Sequence, residues 1–412
     1  MAIETPARIA VLGAGPLGLE AALYARYLGY NVDLYERGRV ADNVRHWGHV
    51  RMFTPFGHNR STLGLGALKA QDPHWVPPDD DATLTGREFA ERYLVPLAQS
   101  DLIVDGLHEQ TEVLAIGRAG LLKGQLADDE QRGEHDFRIL LRAIEDQGHV
   151  REYFATADAV IDTTGTYGRH NWLGPDGVPA IGELSAAAEI EYRLPDVLGA
   201  DHDRYASRNI LLVGDGDSAA ASLVNLAELA ATTPDTWITW VTRGHADESL
   251  PGPVPVLQDD PLPERRRVAL QANGLAVGDA NHITHFGGTA VESIVWHPDL
   301  ERFVVELVGK HPGQLEFDRA IANVGYRSTD ELFAELHVER CGRSGAPRTL
   351  AGEQGHGVIT AEPDYYVLGA KSGGRNEPFQ IAQGLEQVRA VFAIIGDRAD
   401  LDLYANVVLD GS

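Results

Sequence analysis

The sequence predicts an α/β protein made of two Rossmann-like domains, and two observations support this prediction. A buried strand, a glycine-rich turn and a helix follow one another near the amino terminus, and the same order returns from residue 209. After each of these units come an antiparallel hairpin and a strand that leads to a glycine. We therefore expect one domain at 1–205 and 323–412, a second domain inserted at 206–322, and a β hairpin or meander within each.

The first glycine-rich turn matches the pattern G-x-G-x-x-G. An apolar strand at 9–12 leads into Gly13-Ala14-Gly15-Pro16-Leu17-Gly18, and a helix follows. Gly13 permits the tight turn, Gly15 lets the backbone approach a pyrophosphate, and Gly18 lets the helix pack closely on the strand. The helix start offers free N–H groups and a positive dipole end to phosphates. The motif therefore predicts dinucleotide binding.

An acidic residue follows the second strand at the spacing expected for such a site. Strand 31–35 leads to Glu36, 23 residues after the first glycine of the turn. A carboxylate there can accept hydrogen bonds from ribose hydroxyls. Pro16 and Leu17 complete the turn, Arg37 follows the acid, and all of them are candidate cofactor contacts. The alternative is a glycine-rich turn in some other doubly wound protein.

The second glycine-rich turn repeats the pattern with one tolerated change. A buried strand at 210–213 leads into Gly214-Asp215-Gly216-Asp217-Ser218-Ala219, a helix follows, and the next strand spans 237–241. Ala219 stands in the place of the third glycine, which the pattern accepts. The candidate contacts of this turn are Gly214, Gly216, Asp217 and Ser218.

The strand after the second turn ends in a basic residue instead of an acid. Arg243 follows Thr242 at this point, and an arginine suits the 2′-phosphate of NADPH. NADPH is therefore favoured over NADH. The alternative is a solvent-exposed turn residue, which the nearby Asp247 and Glu248 support.

Three further glycines follow predicted strands. Gly165 and Gly325 lie in the stretches 159–166 and 319–326, each of which reads as a strand that runs to its glycine. A strand that stops at a glycine can let its backbone touch a cofactor. Gly369 follows a strand at 365–368 and opens a glycine-rich loop. A helix from Pro378 to about Ile395 is expected next, with Gln383 near its start. Backbone N–H groups at this turn could meet the polar edge of a ring system.

The segment 44–66 combines histidine, arginine, aromatic and glycine residues without a helical or strand period. We interpret it as a long loop that lines a pocket for a flat heterocycle, with Trp47, His49, Arg51 and Asn59 as the candidate side chains. The alternatives are a packed loop with solvated imidazoles and a metal site. No acidic ligand accompanies the histidines at a recognisable spacing, so no metal is predicted.

Composition limits the partners. The formal charge of −26 over 412 residues argues against binding to nucleic acid or to an anionic membrane surface. Cys341 is the only cysteine, so neither an internal disulfide nor a C-x-x-C redox pair can form. No export or membrane segment is recognised, and we expect a cytoplasmic protein. The apolar side of the carboxyl-terminal helix is compatible with a homodimer.

Taken together, these residues resemble the two-dinucleotide-binding-domain flavoproteins, which include thioredoxin-reductase-like enzymes and flavin-containing monooxygenases. The resemblance spans nearly the whole chain. It implies that the first turn and Glu36 bind FAD, and that the second turn and Arg243 bind NADPH. It further implies that Gly165 and Gly325 mark the two domain crossovers, and that residues 369–383 contact the flavin.

Two departures from the family restrict the reaction. The paired cysteines of a disulfide reductase are absent, and residues 180–186 lack the F-x-G-x-x-x-H signature of flavin-containing and Baeyer–Villiger monooxygenases. N-hydroxylating monooxygenases, which share the architecture, stay open.

The leading expectation is an NADPH-dependent monooxygenase in which O2 and the reduced flavin give a C4a-hydroperoxyflavin that oxygenates a small molecule. Trp47 would cover a ring face, Arg51 would neutralise negative charge, and His49 or Asn59 would donate hydrogen bonds. The alternatives are a reductase or oxidase without oxygen insertion, and a dinucleotide sensor without turnover.

Overall fold

The computed structural model describes residues 3–127, 130–244, 252–278, 282–349, 358–376 and 379–405. They form two compact units. Unit 1 comprises the described residues up to Arg169 and from Arg327 onward, and unit 2 comprises His170–Tyr326. The predicted domain boundaries at 205/206 and 322/323 differ from this division, because residues before 206 pair with strands of unit 2. Ile181 bridges Ser293, and Glu191 bridges Ile321.

The strands, in chain order, are β1 Arg8–Leu12, β2 Asn31–Tyr35, β3 Leu107–His108, β4 Thr111–Arg118, β5 Phe137–Ile144, β6 Val150–Ala157, β7 Ala159–Asp162, β8 Asn209–Val213, β9 Trp237–Thr242, β10 Ile283–Gly287, β11 Thr289–His297, β12 Arg302–Gly309, β13 Gly313–Phe317, β14 Arg319–Ala322 and β15 Tyr365–Val367. The α-helices are α1 Pro16–Tyr27, α2 Asp42–His46, α3 Thr62–Gln71, α4 Gly86–Phe89, α5 Val95–Ala98, α6 Glu183–Ala186, α7 His202–Tyr205, α8 Asp217–Thr232, α9 Pro263–Val277, α10 Ala370–Gly373 and α11 Ile381–Ile395.

Unit 1 is organised around a parallel sheet of strand order β15-β7-β1-β2-β3. The central strand β1 is apolar and almost fully buried, as expected for a strand covered on both faces. Helices α1 and α11 pack together, with the rings of Tyr24 and Phe392 stacked at 5.0 Å. The carboxyl ends of parallel strands meet at one edge, so the residues that follow β1, β2, β7 and β15 converge there.

A second, antiparallel sheet of unit 1 has the strand order β4-β5-β6. It confirms the predicted hairpin of the first domain and extends it to a meander. Buried charges connect this sheet to the chain that enters β15. The carboxylate of Glu362 accepts hydrogen bonds from Arg118 Nε at 2.7 Å and from Arg132 Nε at 2.9 Å, and all three side chains are buried.

Unit 2 repeats this plan. Its parallel sheet has the order β10-β9-β8-β14, and its antiparallel meander has the order β11-β12-β13. Helices α8 and α9 pack against each other, and α8 begins directly after the second glycine-rich turn. The predicted α/β class, with two parallel sheets and an antiparallel insertion for each, is therefore confirmed.

The segment 44–66 was wrongly predicted to lack helices. Helix α2 ends inside it and α3 begins inside it, with the hydroxyl of Ser61 accepting a hydrogen bond from the Gly64 N–H at the start of α3. Gly64 and Gly66 weaken the intrinsic helix propensity, but Leu63, Leu65 and Leu68 are buried and stabilise α3.

The helix expected from Pro378 is observed as α11, which begins at Ile381, while Pro378 lies outside the described residues. Its apolar side, which suggested a homodimer, packs inside unit 1, where Val388, Val391 and Phe392 are buried. Among the described helices, none has both the length and the hydropathy that a bilayer crossing requires.

Candidate functional site

The three glycines of the first turn occupy three different environments. Gly13 has a φ of +94°, in the left-handed region that favours glycine, and its N–H donates to the Tyr35 carbonyl at 2.7 Å. A Cβ added to Gly18 would lie 1.7 Å from the Gly13 carbonyl oxygen, so the helix fits only without a side chain. A Cβ added to Gly15 would have no contact within 4 Å, which leaves space above the turn for a ligand.

The other two residues of the turn belong to the start of α1. Pro16 is the first helical residue, where its missing N–H costs nothing. Leu17 points its side chain into the protein, because a Cβ added to Gly369 or to Gly384 would lie 3.1 Å and 2.4 Å from the Leu17 side chain. Leu17 can therefore offer only its backbone N–H to a ligand.

Glu36 lies beside the turn, as predicted. Its carboxylate accepts hydrogen bonds from the N–H groups of Ala14 and Gly38, both at 2.8 Å. Burial raises the pKa of Glu36, and these two bonds oppose the shift. An ionised carboxylate has about four acceptor positions, so ribose hydroxyls still have places to bind. The next residue, Arg37, is exposed, and its guanidinium lies 3.9 Å from the position of a Cβ added to Gly168.

A buried polar network at the ends of β7 and β15 was missed by the sequence reasoning. The Asp162 carboxylate accepts hydrogen bonds from Lys371 Nζ at 2.6 Å, from Tyr365 Oη at 2.9 Å and from Thr164 Oγ1 at 2.6 Å. Burial favours the neutral carboxyl, but the charge and hydrogen bond of Lys371 and the hydrogen bonds of Thr164 together outweigh it and lower the pKa of Asp162. A charged residue at the end of an apolar strand was the signal, since a buried carboxylate requires a partner.

This network supports the first turn through the residues that follow β7. The hydroxyl of Thr163 lies 2.7 Å from the Leu12 carbonyl and 3.0 Å from the Gly13 carbonyl. Gly165 follows with a φ of +70°, and a Cβ there would have no contact within 4 Å. The backbone at Gly165 is therefore open on the side of an added Cβ.

The glycine-rich loop after β15 is held by a glutamine that the sequence reasoning missed. The N–H of Gly369 donates to Gln387 Oε1 at 2.8 Å, and Gln387 Nε2 donates to Ser372 Oγ at 2.9 Å. Gln383, the predicted contact, is exposed and accepts a hydrogen bond from the Gln380 N–H at 2.9 Å in a capping box at the start of α11. One helical turn along α11 separates the two glutamines, which sequence spacing alone did not resolve.

The four candidate catalytic side chains have unequal hydrogen-bonding capacity. Trp47 Nε1 and His49 Nε2 are buried and have no hydrogen-bond partner among the described residues. The Asn59 amide donates to the carbonyls of Thr54 at 3.2 Å and Pro55 at 3.0 Å, so both of its hydrogens are used inside the loop.

Arg51, the fourth candidate, is exposed and donates to the Thr83 carbonyl. Trp47 and His49 are thus the side chains of this set whose unmet polar atoms could serve a ligand.

The second turn repeats the geometry of the first in unit 2. Gly214 has a φ of +136°, and a Cβ there would lie 2.2 Å from the Asn323 carbonyl oxygen. A Cβ added to Gly216 would have no contact within 4 Å, as at Gly15. The turn is supported by Trp240, whose Nε1 donates to the Gly214 carbonyl at 2.8 Å.

The remaining candidates of unit 2 surround this turn. Asp217 and Ser218 are exposed in the first turn of α8. Arg243 is exposed directly after β9, and Asp247 and Glu248, which supported the alternative interpretation, lie outside the described residues. Gly325 has a φ of +78°, and its carbonyl accepts from the Asn171 N–H at 2.9 Å.

A metal site at the histidines of segment 44–66 was one alternative to a packed loop. Within the described ranges, no group of three or more His, Cys, Asp or Glu side chains is arranged to hold a metal ion.

Comparisons with known proteins identify the fold. No family model matches the sequence, and no curated protein matches it significantly. Among solved structures, bacillithiol disulfide reductase Bdr from Bacillus cereus is similar with a TM-score of 0.66 and 15% identity, over 95% of this chain and 99% of that chain. The desferrioxamine-pathway cadaverine monooxygenase DfoA from Erwinia amylovora, determined with bound FAD, is similar with a TM-score of 0.64 and 13% identity, over 99% of this chain and 98% of that chain. Thioredoxin reductase from T. acidophilum is similar with a TM-score of 0.56 and 18% identity, over 97% of both chains.

The chain has the fold of the two-dinucleotide-binding-domain flavoproteins. This agrees with the resemblance of the two glycine-rich turns. Identities of 13–18% establish the architecture and not the reaction, because the similar structures include both reductases and monooxygenases.

Proposed function

We propose that the chain is an FAD- and NADPH-dependent oxidoreductase that acts as a monooxygenase on a small molecule. The observation that carries the proposal is the repeated geometry of the two turns. In each, the first glycine has a positive φ and the second has no protein atom above it within 4 Å. Two such turns in one chain support one site for a flavin dinucleotide and one for a nicotinamide dinucleotide.

Unit 1 is the proposed FAD site. The N–H groups at the start of α1 would bind the pyrophosphate above Gly15, and Glu36 would accept hydrogen bonds from the ribose. Trp47 Nε1 and His49 Nε2 are buried polar atoms without partners, so a polar ring edge or a water molecule would relieve their desolvation. When bound, FAD accepts a hydride and transfers electrons onward. Asp162 and Lys371 would hold the backbone of Thr164 and Gly165 in place beside it.

Unit 2 is the proposed NADPH site. Gly216 and the start of α8 would bind the pyrophosphate, and exposed Arg243 would pair with the 2′-phosphate. An arginine can make two parallel hydrogen bonds to a phosphate, which a hydroxyl on NADH cannot match. The proposal thus extends to a preference for NADPH over NADH.

The cysteine content supports electron transfer to oxygen or to a small molecule. With Cys341 as the only cysteine, the chain has no dithiol to relay electrons to a disulfide. The monooxygenase DfoA is similar over 99% of this chain, which supports an oxygen-inserting reaction. Because Bdr and thioredoxin reductase are similar as well, the alternative is a reductase or oxidase without oxygen insertion.

The test is NADPH oxidation by the purified, FAD-loaded chain with and without O2. Amine, thiol and ketone substrates are screened. A monooxygenase consumes NADPH and O2 in amounts that match the product formed. A requirement for another electron acceptor under anaerobic conditions would favour the reductase, and stoichiometric H2O2 without product would favour the oxidase. A chain that takes up no FAD would contradict the whole proposal, and bound FAD that neither NADPH nor NADH reduces would favour a sensor.

Cytoplasmic location and a homodimer stay predictions. Sedimentation of the FAD-loaded chain would decide between a monomer and a dimer.

A further inference from the structure

Glu20 is a buried acidic residue of α1 that the proposed cofactor site does not use. It is 2% exposed, two residues after Gly18. Its Oε1 atom is buried and makes no hydrogen bond of ordinary geometry with the described residues. A buried carboxyl group with few partners favours its neutral form. Burial accordingly raises the pKa of Glu20 from 4.5 to about 7, and the nearby hydroxyls of Ser61 and Tyr404 oppose the shift.

Segment 401–405 brings a tyrosine to this carboxyl group. The Tyr404 hydroxyl lies beside Glu20 and is buried, and it too makes no hydrogen bond of ordinary geometry with the described residues. Burial, and then the charge of Glu20, raise the pKa of Tyr404, so its hydroxyl stays protonated. A carboxyl group and a neutral phenol therefore face each other where water has little access.

Side-chain hydrogen bonds hold segment 401–405 on α1 and α3. The Leu403 N–H donates to Tyr24 Oη at 2.9 Å, and the Thr62 hydroxyl donates to the Tyr404 carbonyl at 2.8 Å. The rings of Tyr24 and Tyr404 meet edge to face at 5.3 Å. Residues 401–405 form neither helix nor strand. The segment can therefore separate from unit 1 at a lower free energy than the helices beneath it.

The other titratable groups beside Glu20 are also phenols. Tyr24 lies one turn further along α1, and Tyr93 belongs to the helical stretch Ala90–Leu94. Burial raises the pKa of both, and the charge of Glu20 acts in the same direction on each. Neutral phenols can accept or donate hydrogen bonds but cannot neutralise a carboxylate.

The cations of the neighbouring elements have carboxylate partners of their own. Arg60, directly before the start of α3, pairs with Asp80 at 2.5 Å. Arg389 of α11 pairs with Glu386 at 2.9 Å. Asp402 adds a further acidic group within segment 401–405. Ionised Glu20 would thus be a buried charge without a dedicated cation, which is costly inside a protein.

We infer that segment 401–405 is a pH-dependent latch, which is closed while Glu20 is protonated and opens when Glu20 is ionised. The protonated carboxyl group has an O–H that the Tyr404 oxygen can accept. The ionised group gains water when the segment opens, and its proton passes to the solvent. The inference goes beyond the proposed redox reaction, because it involves neither a cofactor nor turnover.

The direction of the pH dependence follows from the two states of Glu20. In the closed state its pKa is about 7, whereas hydration in the open state returns the pKa toward 4.5. The latch is therefore most firmly closed below pH 4.5. Its opening constant rises as the pH increases to 7 and levels off above, by about 300-fold in all.

The test is hydrogen–deuterium exchange of the purified chain between pH 5 and 8, resolved to single amides by mass spectrometry and corrected for the intrinsic exchange rate. The protection of the Leu403 N–H should fall at least tenfold over this range in the wild type. In E20Q it should stay constant, because glutamine does not titrate. The matched control is E91Q, which changes an exposed glutamate of the stretch Ala90–Leu94 in the same way and should keep the wild-type profile.

Two further measurements distinguish the latch from a general loss of folding. The Leu23 N–H, in the middle of α1, should stay more strongly protected than the Leu403 N–H at every pH. T62A, which lacks the hydroxyl that holds the Tyr404 carbonyl, should lower the protection of Leu403 severalfold at every pH and retain the pH dependence.

Four results would overturn the inference. They are a Leu403 protection that does not change with pH in the wild type, an unchanged pH dependence in E20Q, equal protection of Leu403 and Leu23, and a T62A variant that exchanges as the wild type does. Since exchange requires no FAD and no NADPH, each of these results can be obtained whether or not the proposed function is correct.

Discussion

The two glycine-rich turns have the same backbone plan and different side-chain surroundings. In both, a residue that follows a strand of the parallel sheet, β7 in unit 1 or β14 in unit 2, lies against the first glycine. Thr163 does so for Gly13, and Asn323 does so for Gly214. The two turns differ at the place of the third glycine. Gly18 has no room for a Cβ, whereas the methyl group of Ala219 is accommodated and buried.

The polar support of the two turns differs more. The ion pair of Asp162 with Lys371 lies behind the first turn, and a neutral hydrogen bond of 2.6 Å from Ser222 to Asn323 lies behind the second. The strands that follow end in Glu36 and in Arg243. A carboxylate accepts hydrogen bonds from hydroxyls and a guanidinium donates to phosphates, so one backbone plan can serve two different dinucleotides.

The largest effect is expected from a substitution at the close contact between Gly18 and the Gly13 carbonyl, which has no equivalent in the second turn. G18V places a Cβ 1.7 Å from the Gly13 carbonyl, so we expect more than about 3 kcal/mol of destabilisation and loss of FAD. A219V in the second turn enlarges an existing methyl group and should cost about 1–3 kcal/mol. Thermal unfolding and the flavin absorbance of the purified variants measure both effects.

The control for this substitution is G15A, which has open space around its added methyl group. It should unfold as the wild type does and still bind FAD more weakly, because the methyl group occupies the approach of the pyrophosphate. Equal stability of G18V and G15A would contradict the proposed difference.

The next effect compares the polar supports of the two turns. K371M leaves the buried Asp162 carboxylate without its cation and should destabilise the chain by about 3–5 kcal/mol. S222A removes a neutral hydrogen bond in unit 2 and should cost about 1–3 kcal/mol. Chemical denaturation of the two variants tests the order, and a larger loss in S222A would show that the charged pair is not the stronger support.

A third prediction concerns pH and belongs to the first turn alone. Glu20 in α1 is buried, and burial raises its pKa from 4.5 to about 7, whereas Ala221 stands at the equivalent place in α8. In the unfolded chain Glu20 loses its proton near pH 4.5, while the folded chain retains it up to about pH 7. The stability from this group is therefore complete below pH 4.5 and lost as pH rises to 7, a decrease of about 3 kcal/mol.

The measurement compares the free energy of unfolding of the wild type and of E20Q from pH 4.5 to 8. The difference in the free energy of unfolding between the wild type and E20Q should change by about 3 kcal/mol over this interval, because glutamine does not titrate. A constant difference would mean that Glu20 is ionised in the folded chain across the whole range.

The smallest expected effect distinguishes the roles of Glu36, which follows β2, and Arg243, which follows β9. R243A should raise the KM for NADPH about tenfold, equivalent to 1.4 kcal/mol, and leave the KM for NADH unchanged. E36Q should weaken FAD binding and leave the NADPH preference as it is. Steady-state kinetics with both nucleotides tests the pair, and an unchanged ratio in R243A would remove Arg243 from the site.

The sequence by itself determined the elements whose signal is local. Apolar strands, glycines at fixed spacing and the helices after them predicted both parallel sheets, because strand burial and turn geometry depend on neighbouring residues. It also predicted the position of Glu36 beside the first turn, since the carboxyl ends of adjacent parallel strands must meet. The absence of a cysteine pair followed from composition alone.

Tertiary structure decided what depends on residues far apart in the chain. Asp162 meets Lys371 across 209 positions. Gln387 reaches the Gly369 loop, whereas Gln383, one turn earlier on the same side of α11, is used in the capping box at the helix start. The helix α3 forms despite its glycines because burial of its leucines outweighs weak propensity.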